Sequence, residues 1–328
     1  MSSARSSKGS IRTSQRRATS TRRAVLAGER VAAAVRRERH AALRRRASAV
    51  AAAPARARVD AAAIDPKFVR AAGPPGIATL VAEGDSWFDY LWNDVLNVLE
   101  TEYGYDVESV ARAGDRVEDM AFSGVQLAKF KIVLEKMLRR RELPKAVLLS
   151  GGGNDVAGEE FFMLLDHAAS PAAGLNDDVV RGVVDVRVRN AYIALLTAVT
   201  DLCVSTTGRT VPILVHGYDR PVPDGRGFAD GWPIPGLPGP WLRPGFHLKG
   251  FEDQTRNTAT VGSLIDRFNR MLRTVAADPQ FRHVRYVDLR GTLSSGADYQ
   301  RWWANELHPT KEGFRRVAAR FADAIVKV

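Results

Sequence analysis

Five strand-like segments, at 77–82, 106–110, 145–150, 211–216 and 284–288, are separated by stretches with helical periodicity, and this alternation restricts the chain to very few folds. Strands joined through helices lie parallel in one sheet, with the helices packed on both of its faces. The expected architecture is therefore a three-layer α/β/α sandwich around a mostly parallel five-stranded sheet. Helices are expected near 89–102, 116–141, 178–205, 259–277 and 310–326. In such a sheet the loops leaving the strand ends gather along one edge, where ligands bind. The sequence contains no internal repeat.

Charge divides the chain in two. Residues 1–75 hold 18 Lys and Arg against 4 Asp and Glu, a balance of +14, whereas the remainder balances at −3. The net charge of +11 thus belongs to an Ala/Arg/Ser-rich extension, with Gly73-Pro74-Pro75-Gly76 as the linker to a domain over 76–328. Ala and Arg favour helix, so 22–53 has helical character, but Val25, Leu26, Val31, Val35 and Leu43 make too thin an apolar stripe for a packed core. The extension is expected to be disordered or loosely helical. Thr21-Arg22-Arg23-Ala24-Val25-Leu26 has the look of a twin-arginine export signal until Glu29 and Arg30 interrupt the apolar run. Its acid-poor composition also fits a transit peptide, and its charge suits weak contact with nucleic acid or an anionic surface. A solvated charged extension of a cytoplasmic protein is the plainer expectation. No apolar run is long enough to span a bilayer, so no transmembrane segment is expected. Cys203, the single cysteine, excludes an internal disulfide and reads as a small packing residue in an apolar helix.

The stretch 217–250 breaks the α/β rhythm. It carries seven of the sixteen prolines together with Phe228, Trp232, Trp241 and Phe246. A loop of this length in a compact domain serves a function or lacks order, and the aromatic content speaks against the second. It leaves a strand end, which makes it either a wall over the ligand edge or an insertion that packs on the body.

Chemistry resides in blocks at strand ends. Gly84-Asp85-Ser86 follows the first strand, and Ser86 at the tip of a strand-to-helix turn has an exposed hydroxyl and a free amide. Gly114 follows the second strand and presents an unobstructed N–H. Asn154, after Gly151-Gly152-Gly153, carries a side-chain amide able to donate to developing negative charge. His308, in Asn305-Glu306-Leu307-His308-Pro309, stands before a helix that Thr310 is placed to cap. Singly, each block also fits a bland role: a turn or cap for Gly-Asp-Ser, a turn glycine, a turn-forming Asn, a structural His.

Together and in this order, Ser86, Gly114, Asn154 and His308 resemble the SGNH, or GDSL-type, hydrolase superfamily over residues 77–328. The resemblance implies Ser86 as nucleophile and His308 as base. It also implies an oxyanion hole made of the Ser86 N–H, the Gly114 N–H and the Asn154 side chain, acting on a small-molecule ester with no metal or organic cofactor. One position departs from the family pattern, which has Asp three residues before the histidine where this chain has Asn305. An amide oxygen still accepts the Nδ1–H bond but brings no charge, and in serine proteases the corresponding change costs roughly 10⁴ in rate. Three readings stay open at this level: Asn305 orients a working dyad, Glu306 or Asp288 supplies a carboxylate, or the enzyme is slow. The alternative from another class is a weak or inactive hydrolase scaffold that binds through its basic tail.

Overall fold

The computed structural model describes residues 37, 41–52, 76–91, 93–140, 142–228 and 239–328. Most of the basic extension, and Trp232 of the proline-rich stretch, lie outside these residues. Of the extension, residues 41–52 form a helix whose Arg46 pairs with Asp106 at the edge of the domain.

Strands β1 (Thr79–Glu83), β2 (Asp106–Ser109), β3 (Ala146–Leu149), β6 (Ile213–His216) and β7 (Val284–Val287) build one sheet in the order β2-β1-β3-β6-β7. Every pairing in it is parallel. The remaining strands, β4 (Leu165–Asp166) and β5 (Gly174–Leu175), form a separate two-stranded ribbon. All four residues of both β3 and β6 are buried, as apolar central strands require, while β2 at one edge carries Asp106, Glu108 and Ser109. Helices Val95–Tyr103 and Lys311–Val326 cover one face. Val117–Phe122, Gln126–Arg139, Arg189–Thr207 and Gln254–Ala276 cover the other.

The helices adhere because their apolar residues recur at three- and four-residue intervals. Val261, Leu264, Ile265, Phe268, Met271, Leu272 and Val275 are buried along Gln254–Ala276, and each such side chain contributes about 1.5–3 kcal/mol of burial. Three expected helices have different limits, the one expected near 259–277 beginning already at Gln254. The first starts at Val95, not near Asp89, because residues 85–89 fold into turns and Asp94 caps the helix by accepting from the Asn97 amide. The stretch read as one helix over 116–141 divides at Ser123–Gly124.

Strand order determines where a site forms. From β1 the chain moves out to β2 and then returns to the opposite side of β1 for β3, so the reversal lies between β1 and β3. The register aligns Glu83, Leu149, Val215 and Tyr286 in one row. The loops that follow β1, β3 and β6 therefore leave side by side.

Candidate active site

The loop after β1 is organised by Asp85. This buried carboxylate accepts the Trp87 amide at 3.0 Å, the Ser150 hydroxyl at 2.7 Å and the Tyr218 hydroxyl, while its carbonyl accepts the amides of Phe88 and Asp89. Its own amide donates to the Ser150 carbonyl at 3.1 Å. A Cβ at Gly84 would come within 2.7 Å of the Ser150 Cβ, so the loops after β1 and β3 approach as closely as glycine allows. With its neighbours tied down, Ser86 is left half-buried with its hydroxyl facing outward and its amide engaged by no described residue. Glu83, just before this loop, has its carboxyl pushed up to about 8 by burial and stands protonated at neutral pH.

Tyr218 connects two strand ends. Its hydroxyl donates to Asp85 and accepts the Gly153 amide at 3.1 Å, so the loops bearing Ser86 and Asn154 hang on one phenol. Burial lifts its pKa well above the ordinary phenol value, with the Asp85 charge adding to the shift. The Asn154 side chain donates one N–H to the Asp115 carbonyl at 3.0 Å and keeps its second for another acceptor. Asp155 accepts the amides of Val117 and Glu118 and so holds the start of the helix that follows Gly114. Burial raises the Asp155 carboxyl to about 6. Gly114 sits at φ 90°, a left-handed conformation suited to glycine, and its N–H meets no acceptor among the described residues.

The histidine arrives from the far end of the chain. The Trp87 indole N–H donates to the Leu307 carbonyl at 3.0 Å, and the Ala304 amide closes a turn on the His308 carbonyl at 2.9 Å. Thr310 caps the last helix through the Gly313 amide at 3.1 Å. In this frame the Ser86 hydroxyl lies 2.7 Å from His308 Nε2, and His308 Nδ1 lies 2.9 Å from Asn305 Oδ1.

The orientation of the Asn305 amide follows from its partners. Oδ1 receives the backbone amides of Leu307 at 3.0 Å and His308 at 2.9 Å, and Nδ2 donates to the Tyr90 hydroxyl at 3.1 Å. The atom facing Nδ1 is thus an oxygen, which can only accept. Nδ1 must carry the imidazole proton, and Nε2 is left with the lone pair that takes the Ser86 hydrogen bond. Tyr90 also stacks on the imidazole, centroids 4.3 Å apart at 18°, and Trp241 meets it edge-on at 5.3 Å. Burial without a neighbouring carboxylate pushes the His308 pKa down to about 3, so the ring is neutral at rest.

The two carboxylates considered as partners for His308 are engaged elsewhere. Asp288 pairs with the Arg290 guanidinium at 2.7 and 2.9 Å, which holds its carboxyl below the usual value. Glu306 is buried and accepts four backbone amides: Gly225 at 2.9 Å, Trp241 at 2.6 Å, Leu242 at 2.7 Å and Arg243 at 3.0 Å. Burial raises its pKa, and the four donors pull it back.

Ser86 and Asn154 stand between two spaces. On one side is a narrow apolar chamber walled by Gly152, Val184, Leu264, Phe268, Leu242 and Trp303. On the other is a wider cleft lined by Tyr90, Gly114, Phe228, Trp241 and His308. All four blocks singled out in the sequence, Ser86, Gly114, Asn154 and His308, thus border the same cleft. Phe228 and Trp241 bring the proline-rich stretch to the site, whereas Phe246 packs in the core against Phe161. Tyr90, Tyr218 and the clamp at Glu306 escaped the sequence reading. Tyr90 fell within a stretch read as helix, and nothing local marks Tyr218 or Glu306 as partners of distant loops.

No curated protein sequence matches the chain. Among solved structures, a lipase from a goat rumen metagenome aligns at 11% identity and a TM-score of 0.46, covering 75% of this chain and 97% of its own. A catalytic mutant of an acetylxylan esterase from Geobacillus stearothermophilus aligns at 14% identity and a TM-score of 0.40, covering 76% and 95%. The family model matches residues 80–316, which span the whole sheet and every block at its edge, and the chain belongs to the GDSL-like lipase/acylhydrolase family.

Proposed function

We propose that the protein, an acyl hydrolase in the general sense by its family, cleaves carboxylic esters through an acyl-enzyme on Ser86 with His308 as base. The observation that carries this reading is the continuous chain from the Ser86 hydroxyl to His308 Nε2 at 2.7 Å and from Nδ1 to Asn305 Oδ1 at 2.9 Å. His308 takes the Ser86 proton as Oγ attacks the ester carbonyl. The oxyanion that forms is received by the free amides of Ser86 and Gly114 and by the remaining N–H of Asn154. His308 then gives its proton to the leaving alcohol oxygen, and the C–O bond breaks. A water entering from the cleft is deprotonated by the same ring and releases the acid, regenerating Ser86. Asn305 holds the ring in the required tautomer throughout.

The test is labelling with a fluorophosphonate alongside hydrolysis of p-nitrophenyl acetate. The full-length protein is expected to be labelled at Ser86, and Ser86→Ala and His308→Ala are each expected to abolish turnover with the circular dichroism retained. Wild-type turnover in a folded Ser86→Ala protein would overturn the assignment. Asn154→Ala is expected to lower kcat on the order of 10²–10³ with little change in KM, since its bond strengthens only as charge develops.

A further inference from the structure

The two spaces beside Ser86 differ in size by an order of magnitude, and the reaction dictates what each must hold. The chamber encloses about 50 Å³ and the cleft about 500 Å³. His308 lines the cleft and not the chamber, and it must reach the leaving oxygen. The alcohol therefore lies in the cleft, and the acyl group points past Asn154 into the chamber.

The chamber is walled by core side chains: Val184 is fully buried, and Leu264 and Phe268 are each 2% exposed. The Phe268 ring is pressed against the loop after β3 so closely that a Cβ at Gly152 would approach it to 2.4 Å. A dry cavity of about 150 Å³ accepts benzene, with six carbons, so 50 Å³ takes roughly two carbons beyond the carbonyl. The two carboxylates at the wall are already engaged. Asp85 is occupied by Trp87, Ser150 and Tyr218, and Asp219 by the amides of Arg220, Gly291 and Leu293.

We infer that this family member is selective for short, unsubstituted acyl groups of two to about four carbons, carried on a bulky alcohol with a flat face that packs against Tyr90, Phe228 and Trp241. The inference rests on Ser86 as nucleophile and His308 as the acid that frees the alcohol. A long acyl chain has no place in the chamber, and a charged or hydroxylated one meets carboxylates already engaged and the one Asn154 N–H that the oxyanion uses, so burying it is costly.

The experiment measures kcat/KM of the full-length protein on p-nitrophenyl acetate, butyrate, hexanoate and octanoate and on the hemisuccinate. It also compares the rates at which methyl and hexyl p-nitrophenyl phosphonates label Ser86. Activity is expected to be highest from acetate to butyrate and to fall about tenfold or more at hexanoate, with the hemisuccinate well below butyrate. Methyl phosphonate is expected to label faster than hexyl by a similar factor. Leu264→Ala, which lengthens the chamber, is expected to raise hexanoate relative to acetate. If that variant does not fold, the phosphonate pair still decides on the native protein. A profile flat or rising through octanoate, with Ser86 labelled equally by both phosphonates, overturns the short-acyl assignment and leaves the serine mechanism standing. Hydrolysis without labelling at Ser86 overturns both.

Discussion

Asn305 and Glu306 are adjacent in the chain, and both are buried, yet they serve opposite ends of the site. The uncharged residue faces the histidine, where a hydrolase of this family ordinarily keeps its carboxylate. The carboxylate next to it faces away and gathers four amides from the proline-rich stretch. The contrast separates two tasks. Holding several backbone donors at once calls for an acceptor with lone pairs on both oxygens, whereas fixing an imidazole tautomer needs one acceptor atom in the right place. Asn305 supplies that atom, and two amides and a tyrosine hydroxyl prevent it from turning.

The largest effect is expected on the clamp side. Glu306→Gln keeps the shape but turns one acceptor oxygen into an NH₂ that confronts two backbone N–H groups. Buried donors left without acceptors cost about 1–3 kcal/mol each, so urea denaturation is expected to show a loss of about 2–6 kcal/mol, with activity falling as Trp241 leaves the cleft. A variant as stable as the parent would break the contrast, because Glu306 would then hold nothing of consequence.

Asn305→Ala comes next, and here the loss is expected to be in rate more than in stability. Without its acceptor the His308 ring is free to swing and to take the other tautomer, and misplacement of this kind costs about 10²-fold in kcat. KM for a small ester is expected to stay near the parent value. A fall in KM performance alone, with kcat intact, would show that something else orients the ring.

The smallest and most discriminating change is Asn305→Asp. The proposed mechanism needs neutral His308, whose pKa burial has lowered to about 3, so the acid limb of kcat/KM is expected to lie far below the ordinary histidine value of about 6.5. A carboxylate at 305 favours the imidazolium and is expected to move that limb upward by about one to three units while kcat is kept or increased. A limb that does not move between the two proteins would mean the ring already feels a charge, and the division of labour between 305 and 306 would fail.

The five strands, their largely parallel arrangement and the residues meeting at the sheet edge were legible in the sequence because each rests on a local signal. Apolar runs mark the strands, Gly84 and the glycines before Asn154 mark places where a side chain would collide with a neighbour, and Gly114 marks a left-handed turn. What stayed hidden rests on contacts distant in sequence. Tyr90 gains its place over His308 only when residues 305–308 fold back onto the first loop, and an aromatic in Trp87-Phe88-Asp89-Tyr90 otherwise reads as one turn of an amphipathic helix. Glu306 carries no sign that its partners are amides at 225 and 241–243. The first helix begins at Val95 because Asp85 draws the preceding amides into turns, a competition that helix propensity does not register.

The clamp at Glu306 also determines how this molecule can change. The Gly225 and Trp241 amides grip a single carboxylate, so the two ends of the proline-rich stretch between them are fixed to the body beside His308. Lengthening a loop with fixed ends is inexpensive, about 0.6 kcal/mol for each doubling. Descendants of this chain are therefore free to gain, lose or rewrite the sequence between those two points, and with it the face offered to the alcohol, without disturbing the serine and histidine. Diversity can accumulate at the rim of the site while the chemistry at its floor is inherited intact.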